Sequence, residues 1–220
     1  MYSNWLAFER IDFQCDSQLQ PQALQNAPLD DFLFGAMLAL WQLFAYETQH
    51  KDLQMSASNL EELLVHHLRD TLDAERQLTK ALPKLAKAAS NEELKTAFET
   101  HLAETEEQIG RLEQIFEMLG KPARGKHCAG MEGLIEEGKE VIEEDSPEAV
   151  TDAGLIAAAQ KAEHYEIAAY GTMATYAKML GMNDALKLLK QTLGEEKATD
   201  EKLSQLAASI NFEAQHEEVS

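Results

Sequence analysis

Seven side chains in this sequence have the type and spacing to hold metal ions: Glu75, the pairs His101/Glu104 and Glu163/Glu166, and Glu196 with Asp200. Residues three or four apart share one face of a helix, so each pair aims two donors at one place. Hard oxygen donors with one imidazole suit iron or manganese, and bridging carboxylates can hold two such ions close enough to share an oxygen from dioxygen or peroxide. No single pair is diagnostic, because acidic pairs abound on helix surfaces. The weight lies in their coincidence at one height across four segments.

Those segments must be helices. Ser58-Asn59-Leu60-Glu61 is a capping box that opens the first, with Leu64, Leu68, Leu72, Leu78 and Leu82 on one stripe to about Ala88 and Pro83 set to bend it. A second box, Ser90 to Glu93, starts the next, whose stripe of Leu94, Phe98, Leu112, Ile115 and Leu119 is stopped by Gly120 and Pro122. A glycine-rich connection holds a short amphipathic piece, about 130–144. Ser146-Pro147 carries the serine cap and first-turn proline of a third long helix that stops at Gly181, and Asn183 caps the fourth, with Leu186, Leu189, Leu193, Leu203 and Leu206 inward. Short turns within each pair and a long connection between pairs predict an all-α, ferritin-like four-helix bundle with one short extra helix. A weak internal repeat aligns Glu75 with Glu163 and Glu104 with Glu195 and predicts a pseudo-two-fold axis.

Followed through the middle of each stripe, the inward positions are Leu72, Glu75 and Leu78 in the first helix and His101, Thr105 and Gln108 in the second, with Glu104 on the adjoining edge. In the third they are Glu163, Glu166 and Tyr170, and in the fourth Leu193, Glu196 and Asp200. The repeat favours Glu195 as the fourth-helix ligand and the heptad phase favours Glu196; phase decides what can reach the site, so Glu196 is taken. Acids are almost never fully buried unpaired, and these stripes offer no lysine or arginine at that level, so a bound cation is expected. Tyr170 and Thr105 are candidates to hydrogen-bond the ligands, Tyr170 alternatively serving as a core aromatic. His66, His67, His127 and His164 are read as surface residues or neighbours of the ligands, and Cys128 as buried and inert.

The remaining composition narrows the function classes. Acidic residues outnumber basic ones 39 to 19 for a net charge of −20, so nucleic acid and anionic membranes are poor partners. Most of this acid belongs on solvated helix faces. Two cysteines 113 positions apart make neither a zinc pattern nor a disulfide framework, which fits a cytoplasmic compartment. The apolar run 32–46 is too short to span a bilayer and follows two aspartates. Composition shifts near Met55, a candidate native start. The expected layout is an N-terminal extension over 1–58, the bundle over 59–212 and an acidic tail over 213–220, with run 32–46 as a loose arm or a short packed helix.

Several blocks then resemble a known family: Asp73-Ala74-Glu75-Arg76-Gln77-Leu78, His101 to Thr105, Met131 to Gly138, Glu163 to Gly171, and Glu195 to Asp200. In that order they resemble the YciE/YciF family of bacterial stress proteins within the ferritin-like superfamily, over about residues 60–211. The resemblance implies a homodimeric bundle with a di-iron type centre induced under stress, and Glu163/Glu166 also looks like the corresponding pair of peroxide-reducing rubrerythrins. One departure matters: the superfamily's usual Glu-x-x-His is missing from the second and fourth helices, since Glu107 and Thr199 stand where histidine would be and His101 precedes its glutamate. The expected function is therefore a di-iron or di-manganese carboxylate protein that reacts with dioxygen or hydrogen peroxide. The alternative is a non-enzymatic bundle that a metal holds together.

Overall fold

The computed structural model describes residues 57–216, which contain five helices and no strand. They are α1 (Leu60–Ala88), α2 (Glu92–Met118), α3 (Ala129–Glu143), α4 (Glu148–Met179) and α5 (Asn183–His216). The run 32–46, the candidate start at Met55 and residues 217–220 lie outside the described residues. The stretch expected as a tail is helical as far as His216.

The helix starts differ in detail from the sequence expectation. Asn59, not Ser58, caps α1, its side chain accepting from Glu62 N–H, while the Glu62 carboxylate reaches back to Ser58. Asn91 likewise replaces Ser90 as the cap of α2, accepting from the N–H groups of Glu93 and Leu94. Asparagine caps as well as serine does, and the later start gives the last free N–H groups a side-chain acceptor. The expected serine cap of α4 is not made: Pro147 is the capping residue and no side chain bonds the helix end. Pro83 sits inside α1, which continues to Ala88. Gly120 and Gly181 end α2 and α4 with φ of 63° and 72°, a left-handed backbone that favours glycine.

Antiparallel neighbours follow from the contacts themselves. Across α1 and α4, Thr71 meets Met173 and Glu75 meets Tyr170. Across α2 and α5, His101 meets Thr199 while Arg111 meets Thr192. Short turns join α1 to α2 and α4 to α5, and residues 119–147 carry the crossover that contains α3. This is the ferritin-like up-down arrangement with one long connection.

The core is not continuous. One apolar cluster, built on Leu78, Leu82, Phe98, Leu155, Leu203 and Ile210, fills one end of the bundle. Another, on Leu64, Leu68, Leu112, Phe116, Met173 and Leu189, fills the other. Between the two lies a layer of buried polar side chains. The crossover is strapped to α1, with Lys126 N–H on the Arg69 carbonyl and Cys128 N–H on Asp73.

Asp152 of α4 is 3% exposed and accepts from the N–H groups of Ser90 and Asn91, at 2.9 and 2.8 Å, so one helix caps the turn before another. Asp152→Ala is expected to lower unfolding free energy by about 1–2 kcal/mol, because two part-buried hydrogen bonds to N–H groups lose their acceptor. Urea denaturation measures the change, and a change below about 0.5 kcal/mol would show that solvent replaces the carboxylate.

Candidate metal centre

Four helices deliver side chains to the polar layer. Glu75 comes from α1, His101 from α2, Glu163 and Glu166 from α4, and Glu196 from α5, each at most 3% exposed. The His101 Nε2 atom lies 3.2 Å from Glu163 Oε1 and 3.9 Å from Glu196 Oε2. One donor atom from each of His101, Glu163, Glu166 and Glu196 falls within 4.8 Å of the others. Glu75 borders this group, and Tyr170 donates its hydroxyl to Glu75 Oε1.

Such crowding of carboxyls in an apolar interior disfavours their charged forms. Burial, with a smaller effect of neighbouring acids, pushes Glu75 up to about 7 even though Tyr170 and His101 pull the other way. Burial, with the charges of Glu163 and Glu75, pushes Glu196 up to about 10 although His101 pulls the other way. Glu166 is pushed well above the ordinary carboxylate range by burial and by Glu75, Glu196 and Glu163. His101 is raised as well: burial alone would lower it, but Glu104, Glu163 and Glu196 hold it well above the usual imidazole value. Without metal, the imidazolium is the layer's own cation.

The groups behind the cluster fix its geometry. Gln108 donates its amide to Glu196 Oε1. Arg111, buried beneath it, makes a two-pronged contact to Glu195 at 2.5 and 2.8 Å and donates to Thr192 at 2.9 Å. Burial would raise Glu195, but Arg111 and Gln108 hold it below the ordinary range. Glu195 is thus a structural ion-pair partner, and Glu196 is the α5 acid that faces the layer. The expectation of no basic residue near this depth is corrected here: Arg111, beside the Leu112 of the inward stripe, turns its guanidinium under the layer. Thr105 is fully buried and donates to the His101 carbonyl at 2.8 Å rather than to a carboxylate.

Two expected ligands stand elsewhere. Glu104 has 40% of its side chain exposed, with Oε2 at 3.6 Å from His101 Nδ1 on the outer side of the ring. Asp200 points away from the layer and accepts from Gln160 at 3.0 Å, with His164 at 3.5 Å. One turn beyond Glu196, the helix has rotated Asp200 onto the α4–α5 seam. Cys128 is buried as expected, but it has partners, its sulfur lying 2.9 Å from the Tyr165 hydroxyl and 3.3 Å from Asp70, and burial raises its thiol pKa.

The residues fit a bound metal ion. Glu75 Oε2, His101 Nε2, Glu163 Oε2, both oxygens of Glu166 and Glu196 Oε2 are buried and make no hydrogen bond. Unsatisfied polar atoms at this density are costly, and all six belong to metal-ligating residue types. Four carboxylates carry four negative charges when ionised, which two divalent cations would balance. Around His101, Thr199 Oγ1 lies 3.4 Å from Nδ1 and donates to the Glu195 carbonyl, so it offers a lone pair to Nδ1–H. When His101 is neutral, that tautomer would turn the Nε2 lone pair to the carboxylates.

The pKa shifts set a pH dependence for metal-free protein. Acids whose folded pKa exceeds the unfolded value of 4.5 favour folding most below that value, and this contribution is lost as pH rises, through about 7 for Glu75 and about 10 for Glu196. The raised His101 acts in the same direction, its contribution being complete below 6.5 and lost above. Metal-free protein is therefore expected to lose thermal stability between pH 5 and 8, and divalent metal is expected to restore it most at the upper end. Scanning calorimetry across that range checks this; a metal-free melting temperature that climbs from pH 5 to 8 would contradict it.

Residues 59–215 match the family described as a domain of unknown function, DUF892. The chain is 53% identical over 164 residues to Protein YciF of Escherichia coli, covering 74% of this chain and 99% of that one. The crystal structure of the E. coli stress protein YciF superposes with a TM-score of 0.67 at 55% identity, over 69% of this chain and 96% of that one. YcfI from Rhodopseudomonas palustris gives the same TM-score of 0.67 and the same coverage, 69% and 96%, at 44% identity. A Xanthomonas campestris protein at 22% identity and a TM-score of 0.54 shares the fold. With an all-α bundle, a buried cluster of histidine and glutamates suited to a metal, and these relatives, the chain belongs to the DUF892 family, that of the stress protein YciF.

Proposed function

We propose that the protein binds two divalent metal ions, iron with manganese as the alternative, at Glu75, His101, Glu163, Glu166 and Glu196, and that the loaded centre reacts with dioxygen or hydrogen peroxide under stress. The observation that carries this reading is the set of six buried donor atoms without hydrogen bonds, on side chains whose ionised charge two divalent cations would balance. Two ferrous ions would supply one electron each, which with two protons reduce dioxygen to hydrogen peroxide or hydrogen peroxide to two waters.

The protein's own groups would prepare that chemistry. His101 presents Nε2 while Thr199 takes Nδ1–H. Gln108 holds one oxygen of Glu196, leaving the other directed at the layer. The Tyr170 hydroxyl, whose pKa burial and Glu75 raise well above its usual value, keeps its proton and holds Glu75 Oε1. The two apolar clusters on either side exclude bulk water and strengthen each electrostatic interaction between them. The homodimer implied by the family resemblance belongs to the same reading, and sedimentation of the full 24.6 kDa chain tests it.

Ferrous loading under anaerobic conditions should give about two ions per chain, and Glu163→Ala or Glu166→Ala should weaken binding by roughly 10–100-fold. Metal analysis after gel filtration measures the first and competition with a ferrous chelator the second. Stoichiometric binding with ferrous oxidation at the background rate, both in air and with peroxide, would leave a bundle that metal only stabilises. Native binding no tighter than that of the Glu166→Ala variant would refute the centre itself.

A further inference from the structure

The layer has an apolar approach. Between α1, α3 and α4 lies a void of about 30 Å³, with His101 and Glu163 in its wall. Leu78, Leu82, Leu134 and Ile135 form its larger walls. Small residues create the space: Gly138 of α3 and Ala158, Ala159 and Ala162 of α4 stand where larger side chains would fill it. Leu134 and Ile135 are half-buried while His101 and Glu163 are 3% and 2% exposed, so the void runs inward from under α3 to the carboxylates. His101 and Glu163 each carry a buried atom without a hydrogen bond, Nε2 and Oε2.

Size and chemistry restrict what enters. Organic substrates occupy pockets of roughly 300–1,000 Å³, about ten times this volume or more. A water or a peroxide molecule could fit by volume, but along the aliphatic walls it would lose hydrogen bonds at a cost of several kcal/mol. Apolar cavities of proteins stay dry and bind apolar molecules and xenon. A wider and more open groove lies on another face, about 490 Å³ along α2 and α5, where Glu92, Glu93, Glu104, Thr199 and Lys202 stand beside Ala97 and Ala198. Both Glu104 and Thr199 adjoin His101 Nδ1, at 3.6 and 3.4 Å.

We propose that the void under α3 is a binding site and entry route for dioxygen, delivering it to the His101–Glu163 side of the layer. The assignment rests on the metal-centre reading and selects dioxygen, not peroxide, as the oxidant that arrives from this side. It makes α3, which a plain four-helix bundle lacks, the outer wall of the route.

Xenon tests the site without any metal. Crystals of metal-free protein under xenon pressure should show one xenon atom in contact with Leu82, Leu134 and Ala159. Ala159→Leu should abolish it, leave iron binding intact, and slow ferrous oxidation by dioxygen about tenfold while slowing oxidation by hydrogen peroxide less than twofold. Leu134→Ala enlarges the void from its outer side and should raise xenon occupancy without slowing dioxygen, giving a second reading if Ala159→Leu fails to fold. Absence of xenon from native crystals at this position, or undiminished dioxygen oxidation in a folded Ala159→Leu protein, overturns the route. Failure of native protein to bind iron while xenon still occupies the void would refute the metal centre and leave the gas site standing.

Discussion

Burying four carboxyl groups in one layer between two apolar clusters is the constraint on which the rest of this structure depends. Glu75, Glu163, Glu166 and Glu196 are each at most 2% exposed, and their mutual repulsion in a low-dielectric interior exceeds what one imidazolium can offset. The protein has two ways to tolerate them. Protonation, helped by the His101 cation, keeps the metal-free layer near neutral; divalent ions would do the same with the carboxylates ionised. A metal entering the layer would therefore displace protons, which would couple its affinity to proton release.

Much of the surrounding architecture reads as support for that layer. Arg111 lies just beneath it, yet its guanidinium is committed to Glu195 and Thr192, so it buttresses α5 without neutralising the ligands. Gln108 links the two systems, donating to both Glu195 and Glu196. Tyr170 fixes Glu75 across the α1–α4 contact in the same way. Asp152 supplies the α1–α2 turn with acceptors from α4, tying the two hairpins together at the bundle's end. The crossover is anchored through Asp73, Asp70 and Tyr165 around Cys128, which sets α3 over the void.

The duplicated hairpin explains both the success and the failure of repeat-based reasoning. Glu75 and Glu163, equivalent in the first helices of each pair, both reach the layer. Glu104 and Glu195, equivalent in the second, both miss it: one faces solvent beside His101 and the other faces Arg111. The repeat is thus kept in these outer contacts too, while the α2 and α5 groups that enter the layer, His101 and Glu196, sit at different registers. A His101 placed one turn ahead of Glu104 on α2 leaves room for Glu196 opposite, and a second acid from α2 would only add repulsion.

Hydrophobic periodicity, glycine stops and loop lengths were enough to specify four long helices, their pairing and the short helix in the crossover, because each depends on neighbours within a few turns. Five layer residues, Glu75, His101, Glu163, Glu166 and Glu196, were also legible, since acids and a histidine that interrupt apolar stripes are visible in one dimension. Helix phase alone has an error of tens of degrees, and that decided the misses: Asp200 turns to the α4–α5 seam and Glu104 to the outer side of the His101 ring. Arg111 was hidden because a long side chain beside a buried leucine can point to water or beneath its neighbours, and only the facing Glu195 determines which. The void under α3 has no sequence signature at all. Alanines and a glycine at helical spacing signal close packing as readily as empty space, and the placement of α3 against α1 and α4 made the difference.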